Sequence, residues 1–294
     1  MINAPNNSPL LKKTKYTSFK WMLIATFFFS IMGLCVKLCS GSYNEYELVF
    51  YRSFISLLIL IPIIRLKNIS FKTKYFQLHL ARSVIGFISL ALFFYAITKL
   101  PLGTAMSLNY TSPIFLGLFM PLLTKQKFQS TKLTLIALGF IGIIFILKPV
   151  LNNNFIAGSV GLLSGLGAAI AYILVAKLGQ LKEPDVRTVF YFTLISSVGS
   201  FALMLNTNIN PITMDHNLIY LLGLGVSATV AQVAITRAYR EGKTLNNASY
   251  SYLTVIFSVL WGVVFFKEIL DLLTLVGIVF IIISGSLASQ KKVN

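Results

Sequence analysis

The residues best able to handle a ligand are uncharged polar side chains at helical spacing inside otherwise apolar stretches. Asn247, Ser251, Thr254 and Ser258 follow at steps of four, three and four, which places them on one helix face. Thr229, Gln232 and Thr236 follow at steps of three and four, and Asn109 and Ser112 share a face. Gln232 is the hardest to assign to packing, because a primary amide has several hydrogen-bonding sites to satisfy. A lone Ser or Thr in such a stretch more often ties helices together than binds a ligand. Tyr95, Tyr110, Tyr172, Tyr250, Tyr252 and Trp261 suit core filling or interfacial belts, or else a cage that stacks on a ring or holds a cation. Lys37 and Arg52 stand within apolar stretches, where they either snorkel outward or attract a carboxylate. The expected substrate-binding set is Lys37, Tyr95, Asn109, Tyr110, Ser112, Thr229, Gln232, Asn247, Ser251, Tyr252 and Thr254.

This inventory suits binding rather than bond-making. Cys35 and Cys39 are the only cysteines and no His is near them, so no metal centre is expected. The chain has no phosphate-cradling glycine loop and no Ser/His/Asp set at a membrane surface, so neither an enzyme nor a cofactor is expected. The eight acids (Glu45, Glu47, Glu183, Asp185, Asp215, Glu241, Glu268 and Asp271) fall in loops or at helix ends, as do His79 and His216. Proton-driven carriers place a titratable group inside the bundle. Facilitated diffusion or exchange is therefore the expectation.

The elements that position these residues follow from composition. Of 294 residues, 56% are hydrophobic and 11% charged, which is too little charge to cover a soluble surface. The excess of 25 Lys and Arg over 8 Asp and Glu would suit nucleic acid, but these charges sit between apolar runs and not on one face. Nucleic-acid binding is not expected; the lipid bilayer is the expected partner. Ten runs are apolar enough, and close enough to the required length, to cross it as helices: 21–39, 48–64, 80–98, 104–124, 133–147, 159–176, 188–205, 218–236, 246–266 and 272–289. The first could pass for a signal peptide, but it has no small-residue cleavage site and reads as a retained span.

Positive charges alternate across these runs. One set of connecting segments, with Arg82 counted among them, holds twenty Lys and Arg and the opposite set three, Lys99, Lys148 and Lys267. That asymmetry places both termini in the cytoplasm. The loops are short, so function must lie inside the bundle.

The halves are related. A shift of 142 residues lays Ala96 on Ala238, Tyr110 on Tyr252, Leu118 on Leu260 and Lys125 on Lys267; it also lays Asn109 on Ser251 and Ser112 on Thr254. Five helices per half is an odd number, so the second half enters from the opposite side. The expected fold is an all-α polytopic membrane protein of ten transmembrane helices in a 5+5 inverted repeat. Its expected parts are a tail at 1–19, repeats at 20–149 and 158–289, and a tail at 290–294. Such repeats are typical of secondary transporters, with the site near the midplane. A receptor or structural role would leave the symmetry unexplained.

Arg82, Phe94-Tyr95-Ala96, Leu100-Pro101, Ala105, Ser112-Pro113 and Leu147-Lys148-Pro149, with Lys37 closing the first span and Glu47, Phe50-Tyr51-Arg52 after it, resemble the first half of an EamA-domain protein of the drug/metabolite transporter superfamily. Gly161 through Lys177, Lys267-Glu268 and Gly277 resemble the second. The family often has an acid after the fourth helix, where this chain has Lys125-Gln126-Lys127. The resemblance implies a small-molecule substrate. Phe, Tyr, Ile, Asn and Lys, all with AT-rich codons, dominate, as in host-dependent bacteria that import finished metabolites. Length and whole-chain pattern are similar to the superfamily's S-adenosylmethionine uptake carriers, which implies import of S-adenosylmethionine across a bacterial inner membrane. Export of amino acids or other metabolites is the alternative.

Overall fold

The computed structural model describes residues 9–123, 130–207, 209–210 and 216–290. Lys125, Gln126, Lys127 and Asp215, which entered the reading above, and residues 291–294 of the expected tail lie outside the described residues. The described residues form eleven helices: α1 (Pro9–Cys39), α2 (Glu45–Leu66), α3 (Phe76–Lys99), α4 (Leu102–Asn109), α5 (Ser112–Leu123), α6 (Ser130–Gln180), α7 (Asp185–Met204), α8 (His216–Glu241), α9 (Thr244–Tyr250), α10 (Leu253–Phe266) and α11 (Leu272–Gln290). Large apolar side chains such as Leu58, Val198, Ile219 and Val264 point outward, as a lipid-facing surface requires.

Eleven helices map onto ten spans with three departures. α6 runs through what the sequence divides into the fifth and sixth spans. Its backbone leaves the helical region at Asn154 (φ −158°, ψ 74°), whose side-chain oxygen accepts from the Ala157 N–H at 3.2 Å and so caps the second limb. The fourth and ninth spans are each broken in two, at Tyr110–Thr111 and at Ser251–Tyr252. Pro113 explains the first break, because it has no N–H for the Asn109 carbonyl four residues back. Thr111 closes the turn, its N–H and hydroxyl both donating to the Leu108 carbonyl. No proline marks the second break. There Thr254 N–H donates to Ser251 and Val255 N–H to Tyr252, i to i+3 bonds that tighten the turn. The two breaks agree with the 142-residue repeat to within one position.

The packing is two-fold. α1 lies along α8, and α3 along the second limb of α6, so the first helix of each half pairs with the third helix of the other. α2 packs on α7 and the first limb of α6 on α11, each helix meeting its own counterpart, while α4, the first half of the fourth span, packs on α10, the second half of the ninth. At the last contact the backbones touch. A Cβ at Gly142 would sit 2.7 Å from the Gly277 carbonyl oxygen, and one at Gly277 would sit 2.6 Å from that of Gly142. Gly161 and Gly165 serve the same end, packing against Leu108 and the backbone of the first break.

Helix ends are stitched by the few charged residues. Asn44 accepts from the N–H groups of Tyr46 and Glu47 while Glu47 accepts from the Asn44 N–H, a capping box. Glu47 also takes the Asn210 N–H and amide. Glu268 accepts from the Leu102 N–H at 2.7 Å, holding the start of α4 from the other half. At the opposite end, Glu183 accepts from Arg187 at 3.0 Å and Thr73 at 3.1 Å and contacts His79 Nε2 at 3.1 Å. Burial pushes the Glu183 carboxyl up, but these hydrogen bonds outweigh it and hold the group below the usual range.

Candidate functional site

The two broken spans meet at the centre of the bundle, and a cavity of about 60 Å³ opens beside the first break. Its walls come from α1, α2, α3, the α4–α5 turn, the second limb of α6, α7 and α8, so both repeats contribute. A space of this size holds a few waters; sites for metabolites run to roughly 300 Å³ and above. As it stands the cavity is too small for a metabolite.

Of the expected binding residues, Asn109, Tyr110 and Gln232 line this cavity. Asn109 donates its amide to Ser164 Oγ at 2.9 Å, and Gln232 Oε1 lies 3.4 Å from Arg52 Nη2. The Tyr110 phenol faces Thr254 of the other repeat, so the paired polar faces do meet. Tyr239 lies near Tyr110, Tyr172 and Tyr252 and stacks on Tyr172 with centroids 5.1 Å apart. The hydroxyls of Tyr239, Tyr252 and Ser258 are buried without a hydrogen bond.

The others lie outside the cavity wall. Thr229 donates to Ser56 Oγ at 2.7 Å and to the Gly225 carbonyl, tying α8 to α2. Asn247 donates to the Ala238 carbonyl and accepts from Ser18, joining α9, α8 and α1. Ser251 bonds back to the Ala248 carbonyl at 2.6 Å, and Ser112 is buried at the start of α5. Tyr95 is half-buried against the core. Lys37 does not line the cavity: its ammonium donates to the Ile97 and Leu100 carbonyls at 3.1 and 2.6 Å, capping the last turn of α3.

Two residues in the cavity wall stand apart from that expected set. Arg82 is not in a connecting segment, as its neighbours Lys72 and Lys74 suggested. It is the seventh residue of α3 and 2% exposed. Arg52 is the eighth residue of α2 and 1% exposed. The two helices enter from opposite ends of the bundle, and the guanidinium carbons come within 4.9 Å (Arg52) and 3.9 Å (Arg82) of one Phe192 ring centroid. The rule that ionisable residues inside a span mark function could have singled out both.

Comparison with known proteins agrees with this architecture. The model of the EamA-like transporter family matches residues 17–148 and again 156–290. The chain is similar to the pseudopaline exporter of Pseudomonas aeruginosa, with 30% identity over 92% of this chain and 95% of that one. It is similar to the S-adenosylmethionine uptake transporter of Rickettsia conorii, with 24% identity over 92% and 91%. A crystal structure with 14% identity covers 95% of this chain and 98% of its own with a TM-score of 0.66, which shows the shared fold. The proteins named in these matches are transporters, not enzymes. A twice-matching family model, two halves packed about a two-fold and paired broken helices at the centre lead to one conclusion: this multi-pass membrane protein belongs to the EamA-like transporter family.

Proposed function

We propose that the chain carries a small soluble metabolite by alternating access through the central cavity, in a bacterial inner membrane with both termini cytoplasmic. The observation that carries this reading is the cavity itself, set beside the first broken span and walled by both repeats. Discontinuous helices at the midplane are where secondary transporters bind cargo. S-adenosylmethionine uptake, by facilitated diffusion or exchange, is the first assignment. Tyr110 and Tyr172 line the cavity and offer faces for an adenine ring, and relatives of this chain are named as uptake transporters of that compound. The second reading is export of amino acids or other small metabolites, which a relative named as an exporter supports. Either cargo needs the cavity to widen.

Expression in a bacterium unable to import S-adenosylmethionine, with entry of the radiolabelled compound followed, separates the two. Saturable uptake, competed by unlabelled compound and reduced about tenfold by Gln232→Ala, supports import. Uptake no higher than in cells with empty vector, while the protein is present in the membrane, removes the import reading.

A further inference from the structure

We infer that Arg52 and Arg82 form an anion subsite in the central cavity that takes a carboxylate of the cargo; this rests on the carrier reading above and names the chemistry of its site. Both side chains are almost wholly buried and both line the cavity. Their guanidiniums are close enough to repel one another. Among the described residues neither is in an ion pair, and no carboxylate lines the cavity. Nε and Nη1 of both arginines are buried without a hydrogen-bond partner. A buried charge is retained when something compensates it, and the Phe192 ring face, shared between two cations, supplies attraction but accepts no N–H in the plane of either fork. The missing partner must be negative and must bring oxygens.

The site is also shaped for it. Gly86, one turn after Arg82 on α3, leaves the room that the Arg82 guanidinium and the Phe192 ring occupy: a Cβ there would lie 3.0 Å from each. Gln232 holds Arg52 from the second repeat, while the Arg52 carbonyl takes the Ser56 hydroxyl, itself bonded to Thr229. Thr229 and Gln232 thus do separate jobs, one fixing α2 and the other presenting an amide to the cavity. Arg52, Arg82 and Gln232 together offer forked donors and one amide, which is the set that recognises an oxyanion. Carboxylate and phosphate share that chemistry. Two cations with no acid nearby repel a sulfonium or ammonium group, so a cargo carrying one must keep it towards the tyrosines.

The test is the thermal midpoint of the purified full-length protein in detergent, at constant ionic strength, with succinate, glutamate, inorganic phosphate or succinamide added. The expected result is a saturable rise of about 3 °C with a carboxylate at about ten times its Kd, and none with succinamide. Arg52→Gln and Arg82→Gln, which remove an unpaired buried charge, keep the ligand-free midpoint within a few degrees of wild type and lose most of the rise. Arg82→Lys, which keeps charge without the fork, retains part of it and stands in if the glutamine variant does not fold. A rise with phosphate alone overturns the carboxylate assignment, and equal responses in wild type and both variants overturn the subsite. The carrier reading fails separately: cells that move no metabolite while succinate still stabilises wild type alone would remove transport and leave the anion site, whereas uptake undiminished in Arg82→Gln would remove the site and leave the carrier.

Discussion

At the scale of single residues, the bundle separates polar groups that hold it together from those facing its cavity. Asn247, Thr229 and Lys37 spend their hydrogen bonds on backbone carbonyls or neighbouring hydroxyls. Glu183 belongs with them: it joins the α6–α7 turn of the second repeat to the start of α3 in the first. Its carboxyl is held below the usual range, so it stabilises the folded state above about pH 4, the unfolded carboxyl value, and that contribution is lost as pH falls through the depressed folded value. Glu183→Gln is expected to cost about 2 kcal/mol at neutral pH and to flatten the acid limb of a thermal-midpoint-against-pH curve. An acid limb as steep as that of wild type would contradict this. The residue scale was also the least legible in sequence. Polar spacing found Asn109, Tyr110 and Gln232, but spacing records only which residues share a face, not where that face leads. Arg82 was missed as a buried group because it was counted with the charges of the connecting segment before it, although the span read at 80–98 already contained it and α3 begins six residues before it.

At the scale of elements, the apolar runs gave the spans, because a helix in lipid must satisfy its own backbone and declares itself by length. The breaks were harder to read. Pro113 announces the first, whereas the second rests on i to i+3 bonds around Ser251 and Tyr252 that no residue type demands. Only the repeat relates them. If the first break lets α4 and α5 move independently, restoring a continuous helix should stiffen it. Pro113→Ala supplies an N–H for the Asn109 carbonyl. It is expected to leave stability unchanged or raise it by about 1 kcal/mol, while transport of the accepted cargo falls by roughly tenfold. Unchanged transport with a raised thermal midpoint would mean that the break is packing alone.

At the scale of the whole molecule, the inverted repeat becomes a mechanism. Near each end of the bundle a carboxylate of the second repeat binds the first: Glu268 on the Leu102 N–H, Glu183 on His79 and Thr73. Under the alternating access proposed above, opening one end would break one tie and leave the other. The arginine pair lies between them. The symmetry was legible in sequence because weak identities held one register over many residues; the small size of the central cavity was not, since it depends on how the halves meet.

The central claim is that the cavity is the path. The most direct measurement needs no knowledge of the cargo. Ser89 lines the cavity, and Cys35 and Cys39 are both free thiols buried in the core. With these two replaced by alanine, Ser89→Cys is exposed to a membrane-impermeant maleimide, first in whole cells and then in inverted vesicles. Alternating access predicts labelling from both sides of the membrane. Labelling from one side only, or from neither, would contradict it.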